Sequence, residues 1–230
     1  MKIRGRYFEK SFNTFFPKIL FKLSPLRMRQ RRHWEKQDFG DSHGYHQYDV
    51  ADEEREAVLV EEIKKRVIKN ESILDLGCNC ERHLHTQKAD GFTNLTGVDI
   101  CGNAIEYGRE KFGFSKDELI VGSYEKVLPA FVSASRKFDL IYSSGSSLSA
   151  VHPSFDIVRY ICMLSRKYAI LLNEDGGGHA YLRFWEYEFR RFGFLLVKLI
   201  RPAGGSKMDP NKDIDGSLAV YQKIKPDSNF

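Results

Sequence analysis

The chain has 230 residues, of which 42% are hydrophobic and 29% are charged, and its net charge is +5. This length suits one α/β domain with an elaboration, and the composition is that of an ordinary globular protein. No apolar run reaches the roughly 18 residues that a membrane-spanning helix requires, which argues against an integral membrane protein. The four cysteines show no framework spacing, so we expect reduced thiols and a cytoplasmic location.

The positive charge is concentrated at the N-terminus. Residues 1–40 contain eleven Lys/Arg and three Asp/Glu, so the rest of the chain has a small acidic excess. Two interpretations of this basic arm stay open. It can be a solvated helix that covers the domain, or a surface for nucleic acid or an anionic membrane. We divide the chain into a basic and aromatic N-terminal extension, residues 1–50, and a main domain, residues 51–230.

Short apolar runs alternate with helical patterns through most of the main domain. A helical pattern over 51–70 comes first. The predicted strands SILDL, NLTGVDI, ELIVG, KFDLIYS and KYAILLN follow, with predicted helices at 82–89, 102–112, 124–132 and 153–164 between them. Such alternation is typical of a mostly parallel sheet covered on both faces.

The C-terminal part has a different pattern. A helical stretch from residue 181 precedes two predicted strands, LLVKLIR and SLAVYQKI, with a long loop between them. Two consecutive strands without a helix between them predict an antiparallel pair at the sheet edge. The predicted fold class is therefore α/β, a doubly wound, seven-stranded, mostly parallel sheet with an antiparallel last strand and a helical N-terminal extension.

The stretch ILDLGCNCERHL carries the first chemical signal. Its predicted strand runs into Gly77, which allows a sharp turn and close approach of a ligand. Asn79 tolerates the left-handed conformation better than most residues. Asp99 ends the second predicted strand, where a carboxylate can accept both hydroxyls of a ribose. The segment GCNCER lacks the two later glycines of a dinucleotide loop, which disfavours an NAD site.

Two segments carry a resemblance to a known family. ILDLGCN followed by LTGVDICGNAIEYGREKFG resembles the class I S-adenosylmethionine-dependent methyltransferases, and FDLIYSSGSSLSAVHP resembles their fourth-strand segment. The resemblance covers about residues 51–224. It implies a Rossmann-like methyltransferase fold, S-adenosylmethionine as cofactor and S-adenosylhomocysteine as product. In this family the end of such an N-terminal extension often folds over the cofactor, and residues 43–48 can do so here or form a surface loop.

The resemblance further implies which residues bind the cofactor. The loop at Gly77 would approach the methionine part, Asp99 would hold the ribose, and Ile100 would flank the adenine. The remaining residues that it assigns to the cofactor are Asp75, Cys78, Asn79, Ser123, Tyr124 and Ser143.

Glu81 departs from the family pattern, because it stands at the third glycine of D-x-G-x-G-x-G. Three interpretations stay open. The carboxylate can meet the methionine ammonium, repel the methionine carboxylate, or point outward at the helix start, where an acid suits the helix dipole. If Glu81 abolishes cofactor binding, the chain is a non-catalytic relative.

A zinc site is an alternative for the same loop. Thiolates and imidazoles are zinc ligands, and Cys78, Cys80, His83 and His85 supply four of them. Structural zinc sites, however, use pairs that lie well apart, whereas these four fall within eight residues. We therefore predict no metal.

The acceptor side of the reaction is less defined by sequence. His152 and Glu174 follow the fourth and fifth predicted strands and are candidate catalytic bases. We predict O-methylation of a small molecule, sugar or lipid-linked intermediate by in-line displacement. An RNA or DNA methyltransferase that uses the basic arm remains the alternative. Peripheral contact of that arm with the inner membrane surface also stays open.

Overall fold

Strands and helices alternate along the chain in the computed structural model. It describes residues 34–37, 44–45, 53–145, 147–172, 181, 183–200 and 217–224. The helices are α1 (Glu53–Lys64), α2 (Arg82–Ala89), α3 (Gly102–Phe112), α4 (Tyr124–Ser133), α5 (Ile157–Leu164) and α6 (Trp185–Arg190). The strands are β1 (Ile73–Leu76), β2 (Leu95–Asp99), β3 (Leu119–Val121), β4 (Phe138–Ser144), β5 (Ser165–Leu172), β6 (Phe194–Ile200) and β7 (Leu218–Lys223).

The seven strands form one sheet in the order β3-β2-β1-β4-β5-β7-β6. Strands β1 to β5 are parallel, and β7 lies antiparallel between β5 and β6. The predicted mostly parallel sheet with an antiparallel last strand is therefore confirmed. Because the carboxyl ends of parallel strands share one edge, the residues that follow β1, β2, β3 and β4 meet there.

Helices cover both faces of the sheet, and the strands alternate their side chains between the two layers. Leu74 and Leu76 of β1 face a cluster that includes Leu128 of α4 and Ile161 of α5. Ile73 faces the opposite cluster, in which α1, α2 and α3 contribute Leu59, Ile63, Leu84 and Ile105. Burial on both faces explains why these strands read as nearly continuous apolar runs.

Three predicted helices are longer than the observed ones. The helix predicted over 51–70 ends at Lys64, and the one predicted from residue 181 begins at Trp185. The helix predicted from residue 153 begins at Ile157, because the Asp156 side chain accepts a hydrogen bond from the Arg159 backbone N–H and caps the helix there. The basic arm and the loop that contains Glu174 lie outside the described residues. Within the described ranges, no helix has the length and apolar character to cross a membrane.

Candidate functional site

The loop after β1 has an unusual backbone. Gly77, Asn79 and Glu81 all have positive φ, at 82°, 48° and 78°. A Cβ at Gly77 would lie 2.4 Å from Ser147 Oγ and 2.9 Å from the Tyr124 hydroxyl, so glycine is required by space as well as by φ. The left-handed conformation that the sequence predicts for Asn79 is confirmed.

Four backbone N–H groups of this loop donate hydrogen bonds within the protein. Those of Gly77 and Cys78 donate to the Val98 carbonyl at 2.9 and 3.3 Å. The Asn79 N–H donates to Asp99 Oδ2 at 2.9 Å, and the Glu81 N–H donates to the Cys78 carbonyl at 3.0 Å. A pyrophosphate needs such groups as donors, so this loop is poorly suited to a dinucleotide.

Asp99 ends β2 and joins two loops. Its Oδ2 accepts from Asn79, and its Oδ1 accepts from the Cys101 N–H at 2.8 Å. Burial raises the pKa of Asp99, while the N–H groups of Cys101, Asn79 and Ile100 act in the opposite direction. A carboxylate has about four lone-pair sites, so Asp99 keeps acceptor capacity for the hydroxyls of a ligand.

Asp75 is buried beneath the loop. It lies beside Tyr142 in the β1–β4 register, and the Tyr142 hydroxyl accepts a hydrogen bond from Gln87 Nε2 at 2.9 Å. Burial, followed by the charge of Asp75, raises the pKa of Tyr142 well above its usual range. The Gln87–Tyr142 hydrogen bond connects α2 to β4 behind the loop.

Three hydroxyls form a wall beside Gly77. Ser143 Oγ and Ser147 Oγ lie 2.8 and 2.9 Å from the Leu76 carbonyl, and the Tyr124 hydroxyl lies 3.0 Å from Ser147 Oγ. Ser143 is fully buried, so it supports the end of β1 from below. The wall brings together the start of α4 and the end of β4 with its following loop, beside the end of β1.

Glu81 points inward, so the interpretation that places its carboxylate outward at the helix start was wrong. Its side chain is fully buried, and Oε1 accepts a hydrogen bond from Cys78 Sγ at 3.0 Å. Among the described residues, Oε2 has no hydrogen-bond partner. The backbone turns through the left-handed region at Glu81 and directs this carboxyl under the loop instead of into solvent.

Two glycines create the space that Glu81 fills. A Cβ at Gly108 of α3 would lie 2.5 Å from Glu81 Cγ, and a Cβ at Gly97 of β2 would lie 3.0 Å from Glu81 Oε2. The third glycine position of the family pattern can therefore hold Glu81, because Gly97 of β2 and Gly108 of α3 have no side chains to fill that space. A glycine inside a strand or helix is the sequence signal for such a close approach.

Burial raises the pKa of Glu81 well above 4.5, and the charges of Asp75 and Asp99 act in the same direction. The unfolded chain then loses this proton at lower pH than the folded protein does. Because the folded protein then binds more protons than the unfolded chain, its free energy of unfolding falls as pH rises above about 4.5. The fall is up to about 1.4 kcal/mol per pH unit.

We expect Glu81→Gln to remove this pH-dependent loss. The stability of the variant relative to wild type should increase from pH 5 to pH 8 and change little below pH 4.5, as measured by urea unfolding. A difference that stays constant over this range would mean that Glu81 is ionised in the folded protein.

Ser123 and Ile100 follow β3 and β2 at the same edge of the sheet. Ser123 precedes α4, and its Oγ is buried without a hydrogen-bond partner among the described residues. Ile100 is partly buried directly after Asp99. An orphaned hydroxyl at this edge is a place where a ligand group can be satisfied.

The cysteines and histidines near the loop have separate neighbours. Cys78 Sγ donates to Glu81, Cys80 Sγ lies 3.5 Å from the Tyr45 carbonyl, and His85 stacks on Phe112. His83 packs edge-on against the Tyr142 ring. Within the described ranges, no three metal-ligating side chains converge.

Of the two candidate bases, the structure describes His152. The ring is buried, and Nδ1 accepts from the Ser154 backbone N–H at 3.1 Å. The neutral ring then carries its proton on Nε2, a tautomer that donates rather than accepts at that atom. Tyr181 packs edge-on against the ring, so His152 is built into the loop between β4 and α5. Glu174 is outside the described residues.

Gln37, from the N-terminal extension, was missed by the sequence reasoning. It is 1% exposed, and its contacts reach Asn79, Cys101 and Asn103 at the edge where β1 and β2 end. No local pattern distinguishes a glutamine in this role, because its neighbours are far away in the sequence.

A groove of about 450 Å³ lies between α6 and strands β5, β7 and β6. Its lining includes Trp185, Tyr187, Arg190, Leu196, Leu199 and Tyr221. Arg183, also in the lining, donates from Nη2 to the Val151 carbonyl at 3.1 Å and so connects the groove to the loop that carries His152.

No protein-family model matches this sequence, and no curated protein matches it. Several solved structures are similar to the chain. A TehB-like S-adenosylmethionine-dependent methyltransferase from Corynebacterium glutamicum is 20% identical, with a TM-score of 0.56 over 75% of this chain and 89% of that one. Magnesium protoporphyrin IX methyltransferase from Synechocystis PCC 6803, with bound S-adenosylmethionine, is 13% identical, with a TM-score of 0.56 over 87% and 98%.

A methyltransferase from Clostridium acetobutylicum is 14% identical, with a TM-score of 0.55 over 77% of this chain and 94% of that one. Identities this low establish a shared fold and no more. The chain therefore has the fold of the class I S-adenosylmethionine-dependent methyltransferases, as its sequence pattern predicts.

Proposed function

We propose that this protein is an S-adenosylmethionine-dependent methyltransferase whose cofactor lies across the carboxyl ends of β1 and β2. The observation that carries the proposal is the hydrogen bonding of the loop at 77–81. The N–H groups of Gly77, Cys78, Asn79 and Glu81 are bonded within the protein, while Asp99 keeps acceptor capacity at the adjacent strand end. This arrangement favours a nucleoside without phosphates over a dinucleotide.

The residues present fit this cofactor. Asp99 would accept from the ribose hydroxyls, and the orphaned Ser123 Oγ would accept from the adenine amine. Gly77, which has no room for a Cβ, would let the backbone approach the methionine part. Cys78 would contribute through its backbone, since its buried thiol faces Glu81. Asp75 and Ser143 would support the loop from below.

When bound, S-adenosylmethionine supplies a methyl group activated by its positive sulfonium. The wall of Tyr124, Ser143 and Ser147 would bound this part of the site and exclude water from it. The chain's main contribution to rate would be alignment of the acceptor with the methyl group. In the tautomer described above, His152 would position the acceptor-side loop rather than take a proton.

The acceptor that we propose is a hydroxyl of a small molecule, sugar or lipid-linked intermediate. The groove beside α6 supports this choice. Its lining is mostly aromatic and apolar and also contains Arg190, a combination that suits an amphipathic molecule. Arg183 connects that lining to the loop after β4, on the side of the sheet where the methyl group would lie.

The full-length protein is expected to bind S-adenosylhomocysteine with a dissociation constant on the order of micromolar, by titration calorimetry, and to show no comparable binding of NAD. Incubation with methyl-labelled S-adenosylmethionine and a panel of hydroxyl acceptors should then transfer label to oxygen. Folded protein that binds neither S-adenosylmethionine nor S-adenosylhomocysteine would refute the proposed function.

A further inference from the structure

Gln37 links the N-terminal extension to both loops of the proposed cofactor site. Its Oε1 accepts a hydrogen bond from Asn79 Nδ2 at 3.4 Å. Its backbone carbonyl accepts from Asn103 Nδ2 at 3.3 Å and from Cys101 Sγ at 3.7 Å. The extension is thus anchored at the ends of β1 and β2.

These contacts close a ring around one carboxylate. Asn79 and Cys101, which both bond Gln37, also donate their backbone N–H groups to the two oxygens of Asp99. Gln37 therefore bonds both residues that donate to the carboxylate that we assign to the ribose hydroxyls.

The ring contains buried polar atoms that the protein does not satisfy. Gln37 Nε2 is a donor, and Asn79 Oδ1 is an acceptor, and both lack a hydrogen-bond partner among the described residues. Gln37 itself is 99% buried, since its exposed fraction is 1%. Leaving such groups unpaired is costly, so a ligand that offers both a donor and an acceptor would be favoured here.

We propose that Gln37 completes the ribose site, with its Nε2 donating to a hydroxyl of the diol that donates to Asp99. A hydroxyl can donate one hydrogen bond and accept others, so a vicinal diol can serve the amide and the carboxylate together. The inference rests on the proposed function and specifies its ligand: an adenosine with both ribose hydroxyls intact. The N-terminal extension then contributes a direct hydrogen bond to the cofactor through Gln37.

The test compares Gln37→Ala with wild type in the full-length chain. By calorimetry, we expect S-adenosylhomocysteine to bind the variant about fivefold to tenfold more weakly, the effect of one neutral hydrogen bond. The 2′-deoxy and 3′-deoxy analogues of S-adenosylhomocysteine should bind wild type more weakly than the parent compound. For at least one analogue, the loss of affinity relative to S-adenosylhomocysteine should be smaller in Gln37→Ala than in wild type. Lys36→Ala, at the exposed neighbouring position, is the matched control and should bind like wild type.

Each outcome is decisive. A Gln37→Ala protein that binds all three ligands like wild type, or more tightly, overturns the inference while leaving the proposed function intact. An equal weakening for all three ligands also overturns it, since Gln37 would then only hold the loops. If folded wild-type protein binds no S-adenosylhomocysteine, the proposed function itself fails, and the ribose assignment fails with it.

Discussion

Replacing Asp99 with alanine is expected to weaken S-adenosylhomocysteine binding by about 100-fold or more, because hydrogen bonds to a charged group contribute about 1.5–3 kcal/mol each. Two ribose hydroxyls would lose their acceptor at once. The two loops tied through this carboxylate would also lose their shared partner, since Asn79 and Cys101 both donate to it. Calorimetry on variants whose folded state is confirmed by circular dichroism measures the effect.

Glu81→Gly provides the contrast to this result. Glu81 is buried under the loop and faces Cys78 and the two glycines, so its removal should change cofactor affinity far less than Asp99→Ala does. Asp117→Ala removes an exposed acid and should leave binding unchanged. If Glu81→Gly instead created binding that the wild type lacks, the chain would be a non-catalytic relative with a lost site.

The second large effect concerns stability. Gly108→Ala places a Cβ 2.5 Å from Glu81 Cγ and 2.9 Å from the Cys80 carbonyl oxygen. Overpacking of this kind should lower the free energy of unfolding by about 2 kcal/mol or more. Urea unfolding measures the loss. Gly102→Ala, in the same helix, is the matched control, because its Cβ meets nothing closer than Val121 Cγ1 at 3.7 Å.

A double-mutant cycle identifies the cause of that loss. Adding Glu81→Gly to Gly108→Ala removes the side chain that the new Cβ meets, and glycine also suits the left-handed backbone at that position. We expect the two changes to be non-additive by about 1 kcal/mol or more in the direction of rescue. Additive losses would show that Glu81 and Gly108 do not share the space. The contact with the Cys80 carbonyl would persist, so rescue should be partial.

Much of the fold could be read along the chain. The seven strands and the helices between them follow from apolar runs and helical spacing, which are properties of adjacent residues. The ends of β1 and β2 were also predictable from sequence. The residue types of Gly77 and Asn79 favour a left-handed turn, and that of Asp99 provides a carboxylate, whatever their neighbours are. The start of α5 was misjudged because a side-chain cap at Asp156 outweighed the proline at 153 as the start of the helix.

What the sequence alone determined was a doubly wound α/β sheet with a glycine turn and an acid at the ends of its first two strands. Tertiary structure alone decided the orientation of Glu81 and the position of Gln37. Glu81 turns inward because Gly97 and Gly108, on another strand and helix, leave it room. Gln37 reaches Asp99's surroundings only because the chain folds back over the sheet edge. Both depend on contacts between residues distant in the chain, which no local pattern encodes.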